Sequence, residues 1–327
     1  MKTKQQVYSC RFAGAIGAFV EQKRMLGYPY NSSARILSAF DDFVCNNFSE
    51  TLTLTKEICL RWATLKEGEC GNGLLRRVTP IRQLGKYMQG CGMDAFILPG
   101  HIPAKQVKYI PHIYTEDEIH AFFSSLDEGG RKFNDSARNI IAPIFFRILY
   151  CCGLRSSEAR LLATCDVNLQ TGRLFIRESK GWESRSIFMS ESLRLLCIVY
   201  DQQMNEIRPK RMAFFPNTEG GCLHSGIQDE WFHLYWDGLP ESKLVSGPSC
   251  RVHDFRHTFA VNTLNRWVRE GKDINALYPY LSEYLGHRHY SDTAYYLHLV
   301  SEFYPEMEER LGEVNRSILP EVAYETK

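Results

Sequence analysis

Apolar residues recur at helical spacing through most of the chain. In residues 8–26, Phe12, Ile16, Phe19 and Val20 fall on one helical face. The run Gly27, Tyr28, Pro29, Tyr30 breaks that pattern. Asn31, Ser32 and Ser33 can then cap a second helix, with Ile36, Leu37, Phe40, Phe43 and Val44 on its apolar face. Residues 55–66 predict a third helix through Ile58, Leu60 and Trp62, and residues 74–88 a fourth. Pro80 lies inside that last pattern, where it starts or kinks the helix. The first stretch of chain thus predicts a bundle of about four helices.

Residues 95–114 carry three prolines and little periodicity, which predicts a linker. Thr115 and Glu118 then match a capping box, so a second domain is expected to begin there. Helices are predicted over 115–126 and 138–152, the latter strongly apolar (Ile141, Phe145, Phe146, Leu149) and stopped by Gly153. Between Val167 and Phe188 the period changes to two. The runs RLFIR and RSIFM flank Ser179, Lys180 and Gly181, which predicts a β-hairpin or small antiparallel sheet. Helical patterning returns over 190–207, 226–237, 252–270, 274–285 and 291–300, and a short amphipathic helix is expected in 301–315. The expected fold class is mainly α. A helical bundle (1–94) and a linker (95–114) precede a mostly α domain with a small antiparallel β-sheet (115–300) and a tail (301–327).

Length and composition suit two globular domains: 327 residues, 44% apolar, 24% charged. No window approaches 18 uninterrupted apolar residues, and a cytoplasmic protein with no membrane partner is expected. The eleven cysteines show no CxxC pair or zinc spacing, so most are expected to be small core residues and no metal is expected. Net charge is only +1, but its distribution is uneven. Residues 1–108 hold 15 Lys+Arg against 8 Asp+Glu, residues 109–300 hold 21 against 23, and the tail holds 3 against 7. A basic domain beside a near-neutral one suits a protein that grips phosphates with one part and does chemistry with the other. Lys105 and Lys108, in the linker, are candidates for contact with a phosphate backbone.

The candidate chemistry is concentrated between Arg155 and His298. Arg155, in GLRSSEARLL, follows a helix-ending glycine and opens a helix. Guanidinium and helix N-terminus both favour an anion; the alternative is a surface arginine paired with Glu158 or Asp166. Lys180 sits at the tip of the expected hairpin, where an ammonium can protonate a leaving oxygen. His253 and Arg256 share a helical face at i, i+3, and His257 is expected to point elsewhere. His287 follows Leu285 and Gly286 at a helix end. Tyr295 and Tyr296 face directions about 100° apart on a helix, so only one can attack in a given conformation.

The order and spacing of these elements resemble the tyrosine recombinase (phage integrase) family. The matching strings are GLRSSEARLL, SKGWESRSIFM, HDFRHTFA and LGHRHYSDTAYYLH, and the resemblance covers residues 115–300. It implies that the first bundle is a core-binding domain and that Arg155 and Arg256 clamp the scissile phosphate. Lys180 would protonate the departing 5′ oxygen, His253 would exchange a proton near the nucleophile, and His287 would hydrogen-bond the phosphate. Glu158 would support the site, and Tyr296 rather than Tyr295 would be the nucleophile. The implied partners are double-stranded DNA carrying recombination sites and further copies of the chain, two per site and four in the synapse. The tail would dock on a neighbouring protomer. A type IB topoisomerase or telomere resolvase would share this chemistry, and a DNA-binding accessory protein would share the fold without it.

The chemistry is coherent without the resemblance. A free phenol has a pKa of about 10, so resting tyrosine is a poor nucleophile. A nearby histidine and two guanidiniums lower the cost of the phenolate. The same cations stabilise the extra charge of a pentacoordinate phosphate. A phosphotyrosine conserves the energy of the broken bond, so no ATP is needed and no cofactor is expected. The absence of a GxxxxGK[ST] loop agrees with that.

Overall fold

The computed structural model describes residues 7–102, 109–129, 136–177, 184–245 and 250–300, with positions 136 and 297–300 described as backbone only. The chain divides into two compact units, Met1–Tyr109 and Ile110–Lys327.

The first unit holds four helices among its described residues: α1 (Ala13–Met25), α2 (Asn31–Asn47), α3 (Lys56–Trp62) and α4 (Gly71–Gly90). Their apolar faces meet in one core that includes Ile16, Phe19, Leu37, Phe40, Ile58, Val78, Ile81 and Leu84. The entry to α2 differs from expectation. Asn31 is already helical, and Tyr30 precedes it in the left-handed region (φ 51°) with no side-chain cap. The Tyr30 hydroxyl instead donates to Gln83 Oε1 at 2.8 Å. Pro80 neither starts nor ends α4, which begins nine residues earlier at Gly71. The missing amide removes one bond, while buried Val78, Ile81 and Leu84 on the same face hold the helix to the core.

The stretch expected as a linker belongs in part to this core. Ala95 and Leu98 are buried there, and Leu54 and Ala95 form a parallel bridge. Gly85 permits this approach, because a Cβ on it would stand 2.8 Å from the Phe96 carbonyl. Arg82 fastens the same segment through the carbonyls of Leu98 (2.9 Å) and Pro99 (3.0 Å). Prolines and absent periodicity concealed these few apolar anchors.

The second unit opens with α5 (Glu116–Glu128), whose capping box between Thr115 and Glu118 is formed as expected. Then come α6 (Ser136–Cys152), the short α7 (Ser156–Arg160), and strands β1 (Val167–Asn168), β2 (Arg173–Ile176) and β3 (Arg185–Phe188). The strands form an antiparallel sheet in the order β1-β2-β3, with Ile176 opposite Arg185. Helices α8 (Glu191–Ile207), α9 (Ile227–Trp236), α10 (Asp254–Arg269), α11 (Ile274–Leu285) and α12 (Tyr290–Val300) complete it.

An aromatic core orients the site. Phe255, fully buried, packs on Tyr114 at 4.8 Å and on Phe122 at 5.2 Å between ring centroids. This fixes the rotation of α10 about its axis. A smaller cluster of Ala260, Val261, Leu264, Leu281, Leu285 and Tyr296 joins α10, α11 and α12. All eleven cysteines are free. Cys10, Cys59, Cys152, Cys197 and Cys250 are buried, whereas Cys70, Cys91, Cys151, Cys165 and Cys222 are exposed, so core placement accounts for fewer than expected.

Candidate active site

Arg256 is the centre of the site. It leaves the first turn of α10 beside core residue Phe255 and is only 1% exposed. Its Nη1 donates to the Gly153 carbonyl at 2.8 Å and its Nη2 to the Leu285 carbonyl at 2.5 Å. Gly153 ends α6 at φ 59°, where a Cβ would lie 2.4 Å from the Phe259 ring, so glycine there lets the carbonyl reach Arg256. Burial, with Arg155 nearby, lowers the Arg256 pKa to about 10, which leaves it charged at neutral pH.

Arg155 is the N-cap of α7. Its Nη2 donates to the Gly286 carbonyl at 2.6 Å, one residue along from the carbonyl that Arg256 holds. Its Nη1 donates to Glu158 Oε1 at 2.7 Å, and its backbone amide to Glu158 Oε2 at 3.0 Å. The anion at this helix N-terminus is therefore the chain's own carboxylate. Burial alone would raise the Glu158 pKa, but hydrogen bonds and charge from Arg185 and Arg155 outweigh it and hold it at about 2.

His287 is delivered by the C-terminal turn of α11. Gly286 adopts the left-handed conformation, and the His287 amide bonds back to the Ser282 carbonyl at 3.0 Å. The His287 Nδ1 lies 2.6 Å from the buried Thr293 hydroxyl on α12. Burial, then the charges of Arg256, Arg155 and Arg185, lower its pKa to about 3, so the ring is neutral at physiological pH.

Tyr296 lies between two imidazoles. Its ring is stacked near His287 at 5.9 Å and tilted against His257 at 5.4 Å, and the Arg256 guanidinium is near enough to favour its phenolate. It is 2% exposed, while Tyr295 is half-buried. Burial raises the Tyr296 pKa, and Arg256 and Arg155 only partly offset that rise. The guanidiniums act in the expected direction but do not win, because desolvation of a fully enclosed phenol is the larger effect.

Two residues of this site were not anticipated. His257 does not point away. Its ring is 4.8 Å from that of His253 and contacts Tyr296, as the i, i+4 spacing from His253 allows. Burial first, then the charges of His253 and Arg256, lower its pKa to about 3, so it too is neutral. Arg185, at the start of β3, spans both Glu158 oxygens. Its only signal in the sequence is an alternating strand. His253 is exposed at the N-cap of α10, at the edge of the same group. Arg155, Glu158, His253, Arg256, His287 and Tyr296 are thus gathered in the second unit. Lys180, Lys105 and Lys108 lie outside the described residues, as do the side chain of His298 and the whole of the expected tail helix.

Among the described residues there is no group of three or more His, Cys, Asp and Glu side chains that could hold a metal ion, and no helix is long and apolar enough to cross a membrane.

Comparison with known proteins gives a consistent answer. The profile of the phage integrase family matches residues 113–302. The chain is 30% identical over 310 residues to "Putative integrase/recombinase y4rB" of Sinorhizobium fredii, covering 92% of this chain and 96% of the relative. Its fold is similar to that of XerH site-specific recombinase bound to a palindromic difH substrate in a post-cleavage complex. That match has a TM-score of 0.59 and 17% identity, over 94% of this chain and 90% of the other. A lambda integrase tetramer bound to a Holliday junction is similar in fold at a TM-score of 0.54 and 12% identity, over 85% and 76% of the two chains. The chain belongs to the phage integrase family and is a tyrosine-type site-specific recombinase acting on DNA.

Proposed function

We propose that the chain cuts one DNA strand with Tyr296, forming a 3′-phosphotyrosine and freeing a 5′ hydroxyl, and rejoins it to a partner strand whose 5′ hydroxyl attacks the tyrosyl ester. The observation that carries this reading is the convergence on one short turn. Arg256 and Arg155 grip the consecutive carbonyls of Leu285 and Gly286, His287 follows at once, and Tyr296 meets Arg256. Two fixed guanidiniums present donors and charge to the phosphate oxygens as negative charge grows there. Neutral His287 hydrogen-bonds a phosphate oxygen, and His253 at the rim exchanges the phenol proton. Lys180 protonates the departing 5′ oxygen. Glu158 holds Arg155 in place. The arginines and lysine carry the charge stabilisation, so the reaction needs neither metal nor ATP.

The DNA is double-stranded and carries recombination sites, with two protomers per site and four in the synapse. The lambda integrase tetramer on a Holliday junction supports this assembly by likeness of fold. Residues 1–94, with 95–102 packed on them, serve as the core-binding domain, the rest of 95–114 as the connection, with Lys105 and Lys108 against the DNA backbone, and residues 115–300 as the catalytic domain. The acidic tail 301–327 docks on a neighbouring protomer.

A covalent trap tests the nucleophile. Wild-type protein is incubated with nicked duplexes carrying a randomised segment, and SDS-resistant adducts are recovered and sequenced. A selected sequence joined to wild type, and no adduct with Tyr296→Phe, is the expected result. An adduct that persists in Tyr296→Phe would remove Tyr296 from its role.

A further inference from the structure

Glu158 brings a negative charge into a site that has to attract a phosphate. Its side chain is 4% exposed, so water screens that charge little. Three guanidiniums surround it. Arg155 reaches Oε1 at 2.7 Å, Arg256 stands 4.0 Å from Oε2, and Arg185 takes both oxygens, Nη1 to Oε1 at 3.0 Å and Nη2 to Oε2 at 2.9 Å. Only Arg185 engages the carboxylate with both prongs of its side chain, the geometry in which a guanidinium binds a carboxylate best. Arg185 also has a second hold. Its Nε donates to the Tyr284 carbonyl at 2.7 Å. Gly286 passes so close that a Cβ there would stand 2.7 Å from Arg185 Nη1. One side chain on β3 therefore touches both the carboxylate behind Arg155 and the turn that delivers His287.

We propose that Arg185 is a positioning residue for strand cleavage. It occupies Glu158 and braces residues 284–286, so that Arg155, Arg256 and His287 face the phosphate in a fixed and net positive arrangement. The inference rests on the roles given above to Arg155, His287 and Tyr296. Without Arg185, the guanidiniums left beside Glu158 are those of Arg155 and Arg256. The carboxylate then draws onto itself the cations that should meet DNA. A merely structural arginine would predict something different: deleting both members of the pair would be at least as harmful as deleting one.

The test uses the full chain and a nicked duplex captured by the wild type in the selection above. Adduct formation is followed in a single turnover, and non-covalent binding of the same duplex is measured with Tyr296→Phe in the background. Arg185→Gln is expected to slow adduct formation about 100-fold, in line with the loss of charged hydrogen bonds, and to weaken non-covalent binding far less. Arg185→Lys keeps the charge but not the two-pronged contact, and is expected to slow the step about tenfold with the fold retained. The double variant Glu158→Gln/Arg185→Gln is expected to recover about tenfold of the loss, because the unneutralised carboxylate is gone. Wild-type rates in Arg185→Lys and Arg185→Gln would overturn the proposal. So would a double variant as slow as Arg185→Gln. Should Arg185→Gln fail to fold, Arg185→Lys and the double variant measured against wild type decide the matter. A wild type that captures no duplex would instead overturn the nucleophile assignment and this inference together, and that outcome is visible before any Arg185 variant is made.

Discussion

At the scale of single residues, the two imidazoles beside Tyr296 share one electrostatic state. His257 and His287 are both brought to about 3 by burial and by neighbouring cations. In the unfolded chain both return to about 6.5 and take up protons below it. A folded pKa below the unfolded one gives stability that is complete above about pH 6.5 and drains as pH falls towards 3. Melting temperature is therefore expected to fall between about pH 7 and about pH 5, above the range where ordinary carboxylates titrate. His287→Asn should flatten part of that slope, and thermal unfolding across pH measures it. An unchanged slope in His287→Asn would contradict the shift assigned to it. The same residues show what a sequence can disclose. Arg155, Arg256, His287 and Tyr296 were legible because each sits in a short string of fixed spacing. Arg185 was not, because its partners Glu158 and Tyr284 lie 27 and 99 residues away and only folding joins them. His257 was misread by adjacency, although its i, i+4 spacing from His253 carried the correct answer.

At the scale of elements, the end of α11 gathers the most of the candidate site. Leu285 and Gly286 offer their carbonyls to two arginines, Tyr284 offers its own to a third, and the next residue is His287. The turn works only because Gly286 holds φ 65° with Arg185 pressed against it. Gly286→Ala meets both a disfavoured backbone and a clash, and should cost about 1–2 kcal/mol of stability. Cleavage should fall more steeply than that loss implies, since the shift propagates to both arginines. Denaturant unfolding and the covalent trap measure the two effects, and wild-type behaviour in both would refute this account of the turn. The element itself was legible, since 274–285 was expected as a helix and α11 spans it. Boundaries set by side chains elsewhere were less so. The helix α4 runs through Pro80 because its buried face outweighs one missing bond, and Ala95 and Leu98 join a core that local pattern does not reveal.

At the scale of the whole molecule, each unit has its own apolar core. Residues 110–327 expressed alone are therefore expected to fold cooperatively, as circular dichroism during heating would show. The basic excess lies in the other part, where residues 1–108 hold 15 Lys+Arg and 8 Asp+Glu. The full chain is expected to bind a random-sequence duplex more tightly than residues 110–327, with a steeper fall in affinity as salt rises. Titration at several salt concentrations compares the slopes, and equal slopes would locate the phosphate contacts in the second unit instead. The mainly helical class and the small sheet could be read from periodicity. The partition of charge could be read from composition. The folding of 95–102 onto the first bundle could not, because it depends on a glycine and an arginine in a distant helix.

Tyr296 has 2% of its surface exposed, so in the role proposed for it the phenol would meet a phosphate only once α12 or its neighbours shift. Occupancy and cutting are then two different selections. A duplex can be held by backbone contacts alone and leave the phenol covered. Only one whose binding also favours the uncovered arrangement would then be cut, and its apparent affinity would be reduced by the rarity of that arrangement in the free protein. On that proposal the enzyme would survey much DNA without leaving breaks in it, and its fidelity would reside partly in a conformational population rather than wholly in contacts with bases.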